Sequence, residues 1–115
     1  MRKFNNVNEL VNILKPEYPV YCIRLQSIKT SVEFFKKNFT GKVLYAVKTN
    51  PNEKILKSIV DNGIENFDVA SINEVKLVKK IDPKVKIYFM HTIKNRESIK
   101  EAYYRYSVKD FALDS

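Results

Sequence analysis

Apolar residues along this chain follow two alternating rhythms, and the alternation predicts its architecture. The spacing predicts a short helix over residues 7–15, with Leu10, Val11 and Leu14 on one side. Pro16 and Pro19 bracket a break, residues 18–25 read as a strand, and Ser27 is placed to cap a helix carrying Ile28, Val32, Phe34 and Phe35. After Gly41 the pattern repeats. Apolar runs at residues 43–47, 67–70 and 85–90 read as strands, and another begins at residues 110–113. The stretches between them have helical spacing. Residues 52–62 carry Ile55, Leu56, Ile59 and Val60; a helix opened by Ser71 carries Val75, Leu77, Val78 and Ile81; residues 96–106 carry Ile99, Ala102, Tyr103 and Tyr106. Gly63 stands where a left-handed residue closes a helix, and Asp82-Pro83 is a turn.

Strands alternating with single helices imply crossover connections and a parallel sheet. A unit of roughly 22 to 25 residues suits a (β/α)8 barrel slightly better than an open doubly wound sheet, although periodicity alone does not separate them. The chain has only two glycines, Gly41 and Gly63, so it holds no Gly-x-Gly-x-x-Gly and a dinucleotide fold is disfavoured. The expected organisation is a lead-in helix, strand and helix over residues 1–40, then the first strand–helix units of a barrel over residues 41–115. A complete barrel takes about 250 residues, and the last apolar strand lacks a covering helix. The α/β chain is therefore expected to be the truncated N-terminal portion of a (β/α)8 TIM-type barrel.

Composition narrows the function classes. A chain of 115 residues, 44% hydrophobic and 30% charged, has the make-up of a soluble globular domain. No run approaches the roughly 20 apolar residues of a membrane span. Arg2 and Lys3 are not followed by the apolar stretch of a secretory signal, so a cytoplasmic location is expected. One cysteine, Cys22, excludes an internal disulfide and a multi-cysteine metal site, and it is expected as a small buried residue. The formal charge of +8 raises the question of a nucleic-acid partner. The lysines, however, run from Lys3 to Lys109 with no arginine-rich tract or RNP-like pattern, which reads as a solvated surface.

One lysine stands apart. In the run 43–47, period-2 alternation puts Val43, Tyr45 and Val47 on one face, and Leu44, Ala46 and Lys48 on the other. If helices cover the bulkier face, Lys48 points to a barrel axis from the C-terminal end of its strand, where such barrels keep catalytic groups. Desolvation there favours a nucleophilic amine. By the same parity Asp68 faces inward one strand over, as an ion-pair partner or a counter-charge to a protonated imine. The plainer readings are a solvated lysine entering a loop and an aspartate capping the next helix.

Tyr45-Ala46-Val47-Lys48-Thr49-Asn50-Pro51, followed by Phe67-Asp68-Val69-Ala70-Ser71 and Glu74, resembles the ornithine, diaminopimelate and arginine decarboxylases of the pyridoxal-phosphate barrel class. The resemblance runs from about Tyr18 to Ser115. It implies that Lys48 holds pyridoxal 5'-phosphate as a Schiff base and then serves as acid or base, and that Ala46, Asp68 and Glu74 line the cofactor side. It implies a small amino-acid substrate and a homodimeric full-length enzyme, with the phosphate loop and substrate pocket beyond Ser115. Phe67 to Ser71, Phe89 to Lys94 and Ala112 to Ser115 are similar to ornithine-type members; Arg24 and Thr92 depart from the usual acid and proline. A diaminopimelate-type enzyme and a non-catalytic barrel homologue that binds a partner are the alternatives. Glu74 also completes a capping box with Ser71, His91 reads as structural at its strand end, and no metal site is expected.

Overall fold

In a computed structural model, residues 2–114 are described, and they form a parallel sheet with helices on one face. The elements are α1 (Val7–Leu14), α2 (Leu25–Asn38), β1 (Tyr45–Ala46), α3 (Glu53–Asp61), β2 (Asn66–Val69), α4 (Ile72–Ile81), β3 (Lys86–Phe89), α5 (Arg96–Tyr106) and β4 (Asp110–Phe111). The strands lie in the order β1-β2-β3-β4, and each pairs in parallel with the next. Each crossover helix starts on a side chain that satisfies its orphan N–H groups: Asn52 for α3, Ser71 for α4 and Asn95 for α5. Gly63, at φ +94°, turns the chain out of α3 in the left-handed conformation the sequence predicts.

The core lies between the sheet and the helices. Phe67, Val69, Ile87 and Phe89 from the strands meet Leu56, Ile59, Val75, Val78 and Ala102 from the helices, all buried. Val47 belongs to this core, with Val43 and Tyr45 packed against it, so the three bulky residues do lie under the helices. The apolar stripes of α3 and α4 therefore do the work their spacing predicts.

The N-terminal part departs from expectation. Residues 18–25 form no strand among the described residues, because no neighbouring strand offers ladder partners; Tyr18 is 80% and Tyr21 99% exposed. Helix α2 begins at Leu25, and Arg24 rather than Ser27 holds its N-cap position, without a side-chain cap bond. Of its predicted stripe Val32 is buried and Ile28 packs against the core, whereas Phe34 and Phe35 are exposed and stack edge to face at 5.8 Å. Cys22 is exposed, not buried, since its segment has nothing to pack on. No residue of α1 is buried. This arm explains a radius of gyration of 17.1 Å, against about 13 Å for a compact domain of similar length.

The edge strands are also shorter than their apolar runs. β1 is confined to Tyr45–Ala46, and β4 stops at Phe111, beyond which Leu113 is exposed. An edge strand is held by one ladder only, so its ends are free to turn away.

Two substitutions test this packing. Phe67→Ala, at the fully buried centre of β2, is expected to cost about 3–5 kcal/mol in denaturant unfolding. Gly63→Ala places a Cβ at positive φ and 2.5 Å from the Lys36 ammonium nitrogen; the expected loss is about 1 kcal/mol or more.

Candidate functional site

The register of the parallel strands assembles the site. Ala46 is level with Asp68, Asp68 with Tyr88, and Tyr88 with Asp110. Side chains alternate along a strand, so this row lies on the sheet face opposite Phe67 and Ile87, where no helix packs. Asp68 is half-buried there and has no hydrogen bond or ion pair among the described residues.

Lys48 follows β1 within a 3-10 turn, Val47–Thr49. The ladder ends at Ala46, so the turn, not strand parity, sets the direction of Lys48. Its neighbours fix that turn from both sides. Val47 is buried, and the Tyr45 hydroxyl donates to the Asn50 carbonyl at 3.3 Å, bridging the turn. Burial pushes the Tyr45 phenol up, against a smaller opposing effect of that carbonyl. The Lys48 amine is exposed and has no hydrogen bond or ion pair among the described residues, so the anticipated pair with Asp68 is not made.

The remaining sequence candidates divide. Glu74 holds the start of α4: its N–H donates to Ser71 Oγ at 3.2 Å, and its carboxylate accepts at 2.7 Å from the N–H of Ala70, one residue before the cap, rather than from Ser71 itself. That carboxylate fastens the turn directly after Asp68. His91 is exposed and folds onto its own loop, Nδ1 accepting from the Ile93 N–H at 3.2 Å. The Lys94 ammonium donates to the carbonyls of His91 and Ala112, tying the loop after β3 to the end of β4. Among the described residues no group of three or more His, Cys, Asp or Glu is placed to hold a metal, and no helix is long and apolar enough to cross a membrane.

Four residues on the same face escaped the sequence reading. Lys42 donates to the Tyr88 hydroxyl at 2.9 Å, and Lys86 lies 4.8 Å from the Tyr88 ring centre while pairing with Asp110 at 3.0 Å. Lys42 and then Lys86 hold the Tyr88 phenol below the usual tyrosine range, although desolvation opposes them. Asp110 is the main cause that raises Lys86. The parity that picked out Asp68 would have found them, since Lys86 and Tyr88 alternate with Ile87 on β3.

The residues present fit pyridoxal phosphate. A Schiff base needs a primary amine that is unpaired and open to an aldehyde, and Lys48 meets both conditions. The methyl of Ala46 leaves the row open beside the Asp68 carboxylate.

The phenol makes a direct check on the charge array. In alkaline titration followed by phenolate absorbance, Tyr88 is expected to ionise below the usual tyrosine range. Lys42→Met should move that step up, as the hydrogen bond and charge that lower it most are removed.

Comparison with known proteins agrees with this geometry. Residues 25–115 match the family described as pyridoxal-dependent decarboxylase, pyridoxal binding domain. The ornithine decarboxylase of Entamoeba histolytica is 31% identical over 79% of this chain and 27% of its own, with a TM-score of 0.72. The arginine decarboxylase of Paramecium bursaria Chlorella virus, bound to agmatine, is 28% identical over 95% of this chain and 30% of its own, at 0.86. The lysine decarboxylase of Selenomonas ruminantium, at 23% identity and 0.82 over all of this chain and 30% of its own, shares the fold. The chain thus spans under a third of these barrel enzymes. No curated protein sequence matches it. The sequence match over residues 25–115 and the shared backbone path place the chain in the pyridoxal-dependent decarboxylase family, as the N-terminal part of its pyridoxal-binding barrel.

Proposed function

We propose that this chain is the N-terminal part of a decarboxylase acting on ornithine or a close basic amino acid, a reaction that supplies diamines for polyamine synthesis. The observation that carries the reading is the free Lys48 amine at the end of β1, beside a strand that presents Asp68 on the open face. Bound pyridoxal phosphate supplies the electron sink for loss of carbon dioxide.

The chain's own residues have separate tasks. Lys48 anchors the cofactor through its amine and, once released by substrate, carries a proton. Asp68 supplies the negative charge on the cofactor side. Glu74 keeps the β2–α4 turn, and so Asp68, in place. Ala46 keeps the row open. Residues 1–40 act as a lead-in and residues 41–115 as the first barrel units. The full-length protein works as a cytoplasmic homodimer, and the 115-residue chain alone is inactive.

The substrate preference rests on Phe67-Asp68-Val69-Ala70-Ser71 and on the 31% identity to an ornithine decarboxylase. A diaminopimelate-type enzyme is the second reading, since Thr92 departs from the ornithine-type pattern. A non-catalytic homologue would have no use for the unpaired amine of Lys48.

Release of carbon dioxide from ornithine, lysine, arginine and meso-diaminopimelate by the full-length protein separates these readings. Ornithine is expected to be the best substrate, and Lys48→Ala to lower turnover by about 10³-fold or more. Turnover unchanged in Lys48→Ala would sink the proposal. Preference for meso-diaminopimelate would correct the substrate alone.

A further inference from the structure

The helix-free face carries four charged side chains near its central row, Lys42, Asp68, Lys86 and Asp110, and Lys48 stands in the turn that follows β1. Lys86 takes Asp110, at 3.0 Å. Asp68 is then the only carboxylate of the row left without a partner among the described residues, and two ammonium groups, Lys42 and Lys48, remain to compete for it. Only one of them can serve the cofactor.

Tyr88 decides that competition. It is the register partner of Asp68 on the next strand, so the two backbones are about 4.8 Å apart and both side chains rise from the same face. Its hydroxyl accepts from Lys42 at 2.9 Å, and its ring lies 5.5 Å from the same ammonium nitrogen. Lys86 covers the ring at 4.8 Å. Among the described residues, the charged groups around this phenol are Lys42 from the segment before β1, Asp68 from β2, Lys86 from its own strand and Asp110 from β4. Glu74, in the turn after β2, is committed to the Ala70 N–H.

We propose that Tyr88 is a positioning residue that holds the Lys42 ammonium away from Asp68, so that the carboxylate stays unpaired for the nitrogen contributed by Lys48. This deepens, and rests on, the reading of Lys48 as the cofactor anchor. The physical reason is charge accounting. A hydroxyl acceptor and a ring face together bind an ammonium group without spending a carboxylate on it. Remove the hydroxyl, and the nearest unpaired acceptor of full charge on the face is Asp68. An Asp68 paired with Lys42 stabilises positive charge at the Lys48 nitrogen less, so that nitrogen loses its proton at lower pH.

The test uses the full-length protein loaded with pyridoxal phosphate, and reads the pH midpoint of its visible absorption. Tyr88→Phe, which keeps the ring, is expected to move the midpoint down by about one pH unit. In a Lys42→Met background no ammonium is released, and the same change is expected to be silent. Tyr88→Gln, whose amide oxygen can still accept from Lys42, should bring the midpoint most of the way back to the wild-type value, which a role in packing alone would not do. An unmoved midpoint in Tyr88→Phe, or equal shifts with and without Lys42, overturns the proposal. A visible band that survives Lys48→Ala overturns the underlying reading as well. A band that needs Lys48 but ignores Tyr88 overturns only the role of Tyr88.

Discussion

Parallel register is the constraint on which this molecule depends. In a parallel ladder each residue is level with one partner on the next strand, and side chains alternate between the two faces. Pairing Tyr45 with Phe67 and Phe67 with Ile87 puts large apolar groups under the helices. The same pairing necessarily puts Ala46, Asp68, Tyr88 and Asp110 in one row on the other face. A slip of one residue on β2 would bury Asp68 in the core and expose Phe67. The cost of an unpaired buried carboxylate makes that slip prohibitive. The core therefore fixes where the polar groups of the row stand, although no core residue belongs to the row.

The row would be harmful if its charges were arranged otherwise. Ammonium groups on one face repel unless each has an acceptor, and here the acceptors differ in kind. Lys86 has a carboxylate, Lys42 has a phenol, and Lys48 has none among the described residues. That inequality sets Lys48, the lysine we propose reacts, apart from Lys42 and Lys86, which tie the face together. Surface pairs elsewhere, such as Lys80–Glu53 and Lys76–Glu101, join neighbouring helices and stand away from this row.

Much of this was legible in the sequence because strand and helix periods are local. The helix over residues 96–106 is found with the bounds expected, Ser71 opens its helix as its position suggests, and Gly63 takes its left-handed turn. Errors arose where structure depends on partners distant in sequence. An apolar run at residues 18–25 is no strand without a neighbour, and Phe34 and Phe35 follow helical spacing yet face solvent. Lys48 was picked out by parity, but it stands in a 3-10 turn where parity no longer applies. In the Lys42–Tyr88–Lys86–Asp110 array, parity gives the face that Lys86 and Tyr88 share but not the contacts. Its members lie 46 residues apart at the extreme bond, and only the register of four strands brings them together.

We propose that Lys48, among many lysines on this chain, is the one that binds pyridoxal phosphate covalently. Borohydride reduction of the loaded full-length protein, followed by peptide mass mapping, tests it most directly, since reduction fixes an amine–aldehyde condensation as a stable secondary amine. The account predicts one stoichiometric adduct, on the peptide containing Lys48. An adduct at Lys42 or Lys86 instead, or label scattered over surface lysines with none at Lys48, would contradict it.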